Sequence, residues 1–142
     1  MPKNGIKEEG TGKMTYEFLN EEKRNGDLFS LYQELGWQQF LKVDARSLRK
    51  TMQNSFYVLY VYDEDQLIGT GRVVSDGVIN AYICGIGVAL SFRNQGIGSE
   101  ILNRLVATCE AKKLHIQLLC EEELKGYYEK RGFERFAVGM KK

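Results

Sequence analysis

The sequence predicts one α/β domain of the α+β kind, in which a meander of strands leads into helices. Two observations carry this. Three apolar runs, 55–62, 67–74 and 78–88, are separated only by the turn segments Asp63-Glu64-Asp65-Gln66 and Ser75-Asp76-Gly77. Connections that short join antiparallel neighbours, and Asp-Gly is a hairpin signal. The third run then ends in a polar turn at 93–98, after which Ile101, Leu102, Leu105, Val106 and Cys109 recur at helical spacing. A doubly wound nucleotide-binding fold would instead alternate strand and helix throughout.

Taken in order, residues 1–13 are polar and glycine-containing and read as a flexible N-terminal arm, with the single domain spanning 14–142. Met14, Tyr16 and Phe18 alternate, which predicts a first strand over 13–20. Asp27 is placed to cap a helix carrying Leu28, Leu31, Tyr32 and Leu35, stopped by Gly36. Asp44 is placed to cap a second, through Leu48 to Met52, whose Arg46, Arg49 and Lys50 form a solvated polar side. Trp37 lies in the joint between them and is open to a core, lid or substrate-contact role. The run 55–62 is apolar or aromatic on both faces, so it predicts an interior strand. Gly85 and Gly87 weaken regular pairing in the run 78–88 and predict a bulge there. A helix over 98–113 follows, then a strand over 114–120. The last helix, 121–131, puts Leu124, Tyr127 and Tyr128 on one face and stops at Gly132. A final strand is expected over 133–140, before the tail Lys141-Lys142.

Composition bounds the function. The chain has 142 residues, 43% of them hydrophobic and 27% charged, enough for one proper core. A formal net charge of +1 gives no reason to expect nucleic acid or an anionic membrane as partner. No apolar run approaches the ~18 residues of a membrane span, and no apolar leader opens the chain. Cys84, Cys109 and Cys120 are odd in number and lie in apolar segments. They read as buried free thiols of a reducing, cytoplasmic compartment rather than as nucleophiles. His115 is the only histidine and reads as solvent-facing or hydrogen-bonded. No metal site is expected.

The stretch that organises the rest is Ile86 to Ser99. Gly96 and Gly98 lack side chains, so ligands can approach the backbone closely. They stand where a helix begins, with unpaired N–H groups and the positive end of its dipole, a setting suited to phosphate. The run lacks the Gly-x4-Gly-Lys-[Ser/Thr] of a Walker loop, and Ile101 stands where a dinucleotide fingerprint requires glycine. What remains, Arg93-x-x-Gly96-x-Gly98, resembles the acetyl-CoA pyrophosphate motif of the GNAT-type N-acetyltransferases, [Gln/Arg]-x-x-Gly-x-[Gly/Ala]. Tyr127-Tyr128-Glu129-Lys130-Arg131-Gly132-Phe133 is similar to that family's late helix, which ends in Tyr-x-x-x-Gly-Phe. It lies one helix and one strand downstream, as the family requires, and the resemblance covers about residues 14 to 140.

The resemblance implies a GNAT fold: a mixed, mostly antiparallel central sheet flanked by about four helices and splayed between strands four and five. It implies acetyl-CoA as acetyl donor and no metal. Arg93, Asn94, Gln95, Gly96, Ile97, Gly98 and Ser99 would hold the pyrophosphate. Ile86, Gly87 and Val88 would pair with the pantetheine amides as a further strand would. The Val88 N–H would polarise the thioester carbonyl. Tyr128 would be the general acid to the leaving thiolate, or, read more simply, a residue that packs the helix on the sheet. The acceptor would be a primary amine of a small molecule or protein, attacking directly; the alternative is a non-catalytic acyl-CoA-binding module. A homodimer fits the resemblance, although no segment identifies an interface. Two departures stand out. Glu121 replaces an asparagine common seven residues before the tyrosine. Tyr82, Cys84 and Gly85 occupy the fourth-strand positions where many members carry an acid, so no base is named.

Overall fold

A computed structural model describes residues 15–142. Five strands form one sheet in sequence order: β1 (Glu17–Leu19), β2 (Tyr57–Asp63), β3 (Gln66–Ser75), β4 (Asn80–Val88) and β5 (His115–Gln117). The first four run antiparallel, and β5 joins β4 in parallel. The parallel step requires a crossover, and α4 (Ile97–Ala111) supplies it. Three helices, α1 (Asp27–Glu34), α2 (Gln38–Leu41) and α3 (Ala45–Gln53), lie between β1 and β2, and α5 (Lys125–Glu129) follows β5. The sheet is thus mixed and mostly antiparallel, as expected.

The strands are built by alternation. Gly69 and Gly71 of β3 turn towards α4. A Cβ on Gly71 would stand 2.7 Å from Ile101 Cγ2 and 3.1 Å from Leu105 Cδ1. The missing side chains let the helix lie close to the sheet. Ile97, Ile101, Leu102, Leu105 and Cys109 are the buried stripe of α4, each large side chain contributing roughly 1.5–3 kcal/mol. Leu28, Leu31 and Tyr32 of α1 and Leu48 and Met52 of α3 are also buried. Several polar groups inside find partners, whereas Asn20 Oδ1, Gln38 Nε2 and Arg72 Nε are buried without one among the described residues. Thr70 Oγ1 donates to the Leu59 carbonyl at 3.0 Å. The Tyr62 hydroxyl donates to Asp27 at 2.7 Å and accepts from the Lys23 N–H at 2.8 Å.

Several local expectations hold. Asp44 caps α3, accepting from the Ser47 N–H at 2.7 Å. Gly36 and Gly132 take the left-handed conformation after their helices, with φ of 78° and 88°. The Ser75–Gly77 turn closes with Asp76 accepting from the Val78 and Ile79 N–H groups, both at 2.8 Å.

Others are corrected. Asp27 does not cap α1. It is the first helical residue, Gly26 is the cap at φ 98°, and the Asp27 carboxylate instead receives the Tyr62 hydroxyl. The sequence reading contains no helix at 38–41, where α2 forms a single turn without a buried face. The helix expected over 121–131 is a 3₁₀ turn, Glu122–Leu124, followed by the short α5. The strand expected over 114–120 is three residues long. No strand forms over 133–140. Phe136, Val138 and Met140 alternate like strand residues but are 62%, 71% and 89% exposed, so no burial fixes a register. Of the cysteines, Cys109 is buried and Cys84 half-buried, whereas Cys120 is exposed. The arm at 1–13, and Met14 of the first strand, lie outside the described residues.

Candidate active site

The site begins with an irregularity in β4. Thr70 pairs with Gly87 and Arg72 with Cys84, so Gly71 alone faces both Gly85 and Ile86. That is a bulge, with Gly85 at φ 65°. On the other edge, β5 pairs with β4 only from Asn80 to Tyr82. Beyond Tyr82 the two strands part, and β4 runs on to Val88 without a β5 partner. The Ala89 N–H donates to the Ile68 carbonyl at 2.7 Å. Successive N–H groups alternate across a strand, so the Val88 N–H points to the opposite edge, into the opening between β4 and β5. Arg93 marks the same edge: its Nε donates to the Val88 carbonyl at 3.1 Å.

The chain then turns. A 3₁₀ turn, Leu90–Phe92, starts with its Leu90 N–H held by Glu34 Oε2 at 3.1 Å. Asn94 and Gly96 adopt left-handed conformations, φ 63° and 83°. Gly96 is the N-cap of α4 and offers no side-chain cap. The Glu100 N–H donates to the Gly96 carbonyl at 3.0 Å, so Ile97, Gly98 and Ser99 lie within the first turn, whose N–H groups have no intrahelical acceptor. Gly98 faces Val88, since a Cβ on it would come 3.8 Å from Val88 Cγ2. The turn is anchored from outside by the Tyr16 hydroxyl, which donates to Gln95 Oε1 at 2.7 Å.

Three residues tie this turn to α5. Ser99 Oγ and the Tyr127 hydroxyl are 2.9 Å apart. Arg131 donates to Ser99 Oγ at 2.8 Å and to the Tyr127 carbonyl at 2.7 Å, with its guanidinium 3.6 Å from the Tyr127 ring centroid. Sequence reading assigns Tyr127 only to packing and gives Arg131 no role. The available signal was their four-residue spacing on a helix that must meet the glycine turn. Next to this bridge, Tyr128 packs edge-on against Tyr127 and Phe133, with centroids 5.1 and 5.8 Å away. It is half-buried, and its hydroxyl has no hydrogen-bond partner among the described residues. Burial raises its pKa above the ordinary phenol value. Tyr127 and Cys120 push the same way, and Arg131 opposes them. The phenol therefore holds its proton at neutral pH.

The α1-facing side of β4 carries Tyr82 and Cys84 and no carboxylate. Burial raises the Cys84 thiol pKa, with Arg72 opposing, so it is a poor nucleophile. Trp37 covers the strand here: a Cβ on Gly87 would meet its ring at 2.7 Å and Leu35 at 2.6 Å. Glu121 and His115 are both exposed. His115 packs on Phe136 and contacts Gln117 at the opposite end of β4 from Val88. No group of three metal-ligating side chains occurs among the described residues. A separate cleft of about 680 Å³ lies between α1 and the β2–β3 turn, lined by Asp27, Glu34, Asp63 and Asp65 among others. It does not include the β4–β5 opening.

The architecture has known counterparts. Residues 27–140 match the acetyltransferase (GNAT) domain family. The chain is 28% identical over 132 residues to the Arabidopsis thaliana protein named GCN5-related N-acetyltransferase 1, chloroplastic, covering 91% of this chain and 64% of that one. It spans 54% of the length of the Glycine max protein named Histone acetyltransferase TAP1 and 64% of the Arabidopsis protein, less than two thirds of either. Among solved structures, a GNAT-family acetyltransferase from Streptococcus pneumoniae superposes with a TM-score of 0.72 at 26% identity, covering 88% of this chain and 95% of that one. A predicted acetyltransferase from Clostridium acetobutylicum, crystallised with acetyl-CoA, gives 0.68 at 19% identity, covering 91% and 95%. With the domain match running over most of the sequence and the glycine turn at the end of a parted β4, the chain belongs to the GNAT family of acetyltransferases.

Proposed function

We propose that the protein transfers the acetyl group of acetyl-CoA to a primary amine of a small molecule or protein by direct attack, with Tyr128 as general acid. The observation that carries the reading is the end of β4. Its Val88 N–H faces an opening with no β5 partner, and the strand runs directly into a glycine turn at the start of a 15-residue helix. These residues fit the donor. Arg93 to Ser99 offer first-turn N–H groups and a positive helix end to a pyrophosphate. The free edge at Ile86 to Val88 offers strand-type hydrogen bonds to an amide-bearing arm. Acetyl-CoA, when bound, supplies the activated acetyl group.

The remaining work falls to the chain. A single N–H at Val88 stabilises negative charge that develops on the carbonyl oxygen. Tyr128, kept protonated by burial, gives its proton to the departing sulfur. A phenol and a thiol have ordinary pKa values near 10 and 8.5, close enough for proton exchange, with the transfer to a thiolate slightly uphill. Tyr82 and Cys84 in place of a strand carboxylate leave the amine to arrive neutral or to lose its proton to water. That same replacement favours a second reading, a module that binds acyl-CoA without turnover.

Calorimetry with CoA and acetyl-CoA tests the placement of the donor. Both bind the wild-type protein in this reading. Gly96→Val forces a β-branched residue into φ 83°, a conformation it adopts only under strain, although no atom lies within 4 Å of the new Cβ. Affinity is expected to fall about tenfold or more while circular dichroism stays native. A folded variant that binds like wild type would show that the turn does not hold the pyrophosphate.

A further inference from the structure

The bridge between α4 and α5 leaves a cation at the glycine turn with most of its donors unused. Arg131 follows Lys130, the C-cap of α5, and is exposed. A guanidinium carries five N–H donors in a rigid fork. Nη2 donates to Ser99 Oγ at 2.8 Å and Nη1 to the Tyr127 carbonyl at 2.7 Å. The group also lies 3.6 Å from the Tyr127 ring centroid. Three contacts thus fix the fork, while its other N–H groups have no acceptor among the described residues.

No described carboxylate neutralises this cation. Glu100, in the first turn of α4, is taken by Arg104 at 2.8 Å. Glu129 faces Lys125 at 4.0 Å, and Glu122 faces Arg135 at 3.7 Å. The hydroxyls beside it add another donor. Ser99 Oγ and the Tyr127 hydroxyl are 2.9 Å apart, and only one of their two protons can lie between the oxygens. The other has no acceptor among the described residues. Guanidinium and hydroxyl donors thus stand together at the first turn of a 15-residue helix, whose own N–H groups are unpaired. A phosphate, with several charged oxygens, matches such a set best. We propose that Arg131, held by Ser99 and Tyr127, receives a phosphate of CoA and so sets the preference of the site for CoA over a phosphate-free pantetheine thioester. CoA offers two such groups, the pyrophosphate and the ribose 3′-phosphate, and the test tells them apart. The inference rests on the placement of the donor at the glycine turn and is independent of acetyl transfer.

The test is calorimetry with CoA and with dephospho-CoA, which lacks the 3′-phosphate, at two or more salt concentrations. Arg131→Gln is expected to raise the Kd for CoA about tenfold or more, the scale of charge-assisted hydrogen bonds. Arg131→Lys keeps the charge, loses the fork and falls between the two. Tyr127→Phe keeps the ring under the guanidinium, removes the hydroxyl and gives a smaller rise. Added salt weakens CoA binding more steeply in wild type than in Arg131→Gln. Equal losses for CoA and dephospho-CoA assign the contact to the pyrophosphate, and a loss confined to CoA assigns it to the 3′-phosphate. A merely structural clamp would lower Tm and leave the salt dependence unmoved. If Arg131→Gln folds poorly, Arg131→Lys and its salt dependence keep the proposal testable, because a folded Lys variant that binds CoA like wild type at every salt concentration overturns it. A folded Arg131→Gln protein with wild-type CoA affinity, or with an unchanged salt dependence, overturns the role of Arg131 alone. Failure of the wild-type protein to bind CoA overturns this role and the donor placement together. Tight CoA binding without turnover sinks the transfer reading and leaves the phosphate contact to be judged by the Arg131 variants.

Discussion

In the proposed mechanism, Tyr128 is the residue on which turnover depends most. Its ring is held by Tyr127 and Phe133, while its hydroxyl is uncommitted among the described residues. Tyr128→Phe keeps the packing and removes only the proton donor. The rate is expected to fall roughly 10²-fold or more, with acetyl-CoA affinity little changed, because the turn and strand contacts lie elsewhere. Steady-state kinetics beside calorimetry separates the two effects, and unchanged turnover would leave Tyr128 a packing residue. The pH dependence has a definite sign. In the proposed mechanism the active form is the protonated phenol, and burial raises its pKa above the ordinary 10. Activity lost through Tyr128 ionisation therefore appears only above about pH 10. An alkaline limb well below that, present in wild type and absent in Tyr128→Phe, would tie the limb to Tyr128 but contradict its raised pKa. The cysteines are expected to be dispensable for chemistry: a folded protein with all three changed to alanine keeps substantial activity. Loss of turnover with intact CoA binding would point to an acetyl-cysteine intermediate instead.

At the scale of elements, two features carry most of the local logic, and each can be tested by stability. Asp44 caps α3 through the Ser47 N–H, and those hydrogen bonds hold its pKa below the ordinary carboxylate value. A group with a lowered folded-state pKa stabilises the fold above its unfolded pKa, and that stabilisation is lost as pH falls through the folded value. Asp44→Ala is expected to lower Tm by a few degrees near neutrality, with the difference from wild type shrinking in acid, as thermal melts across pH would report. Gly71 sits under α4, where an added methyl would press on Ile101 at 2.7 Å. Gly71→Ala should cost about 1–3 kcal/mol by denaturant unfolding. Gly126→Ala on α5, with nothing within 4 Å, should cost nothing and stiffen the helix. The reverse order of these two would mean that α4 does not rest on β3 as described.

The elements legible in the sequence were those with local causes. The interior strand at 57–63, the Asp76-Gly77 turn, the β4 bulge and the Asp44 cap each follow from residues within a few positions of one another. The glycine turn was legible for the same reason. Misread elements depended on distant partners. Asp27 is claimed by Tyr62 from 35 positions away, so it does not cap. Phe136, Val138 and Met140 have a strand's alternation but no buried face to lie on. The site divides likewise. Arg93, Gly96 and Gly98 lie within six residues of chain, whereas the Tyr127–Ser99–Arg131 bridge requires the folded chain to bring it together.

For the molecule as a whole, a parallel β5 that leaves β4 after Tyr82 creates the opening, and α4 and α5 close on it from the glycine-turn side through Ser99 and Tyr127. The site is thus assembled from both halves of the chain around one parted strand pair. The central claim is that this opening performs acetyl transfer rather than storage of an acyl-CoA. The direct measurement is release of free CoA thiol from acetyl-CoA, with and without a panel of primary amines, followed by mass spectrometry of the amine. The account predicts thiol release that depends on the amine and equals the acetylated amine formed. Tight acetyl-CoA binding with no amine-dependent thiol release across the panel would contradict it and leave a binding module.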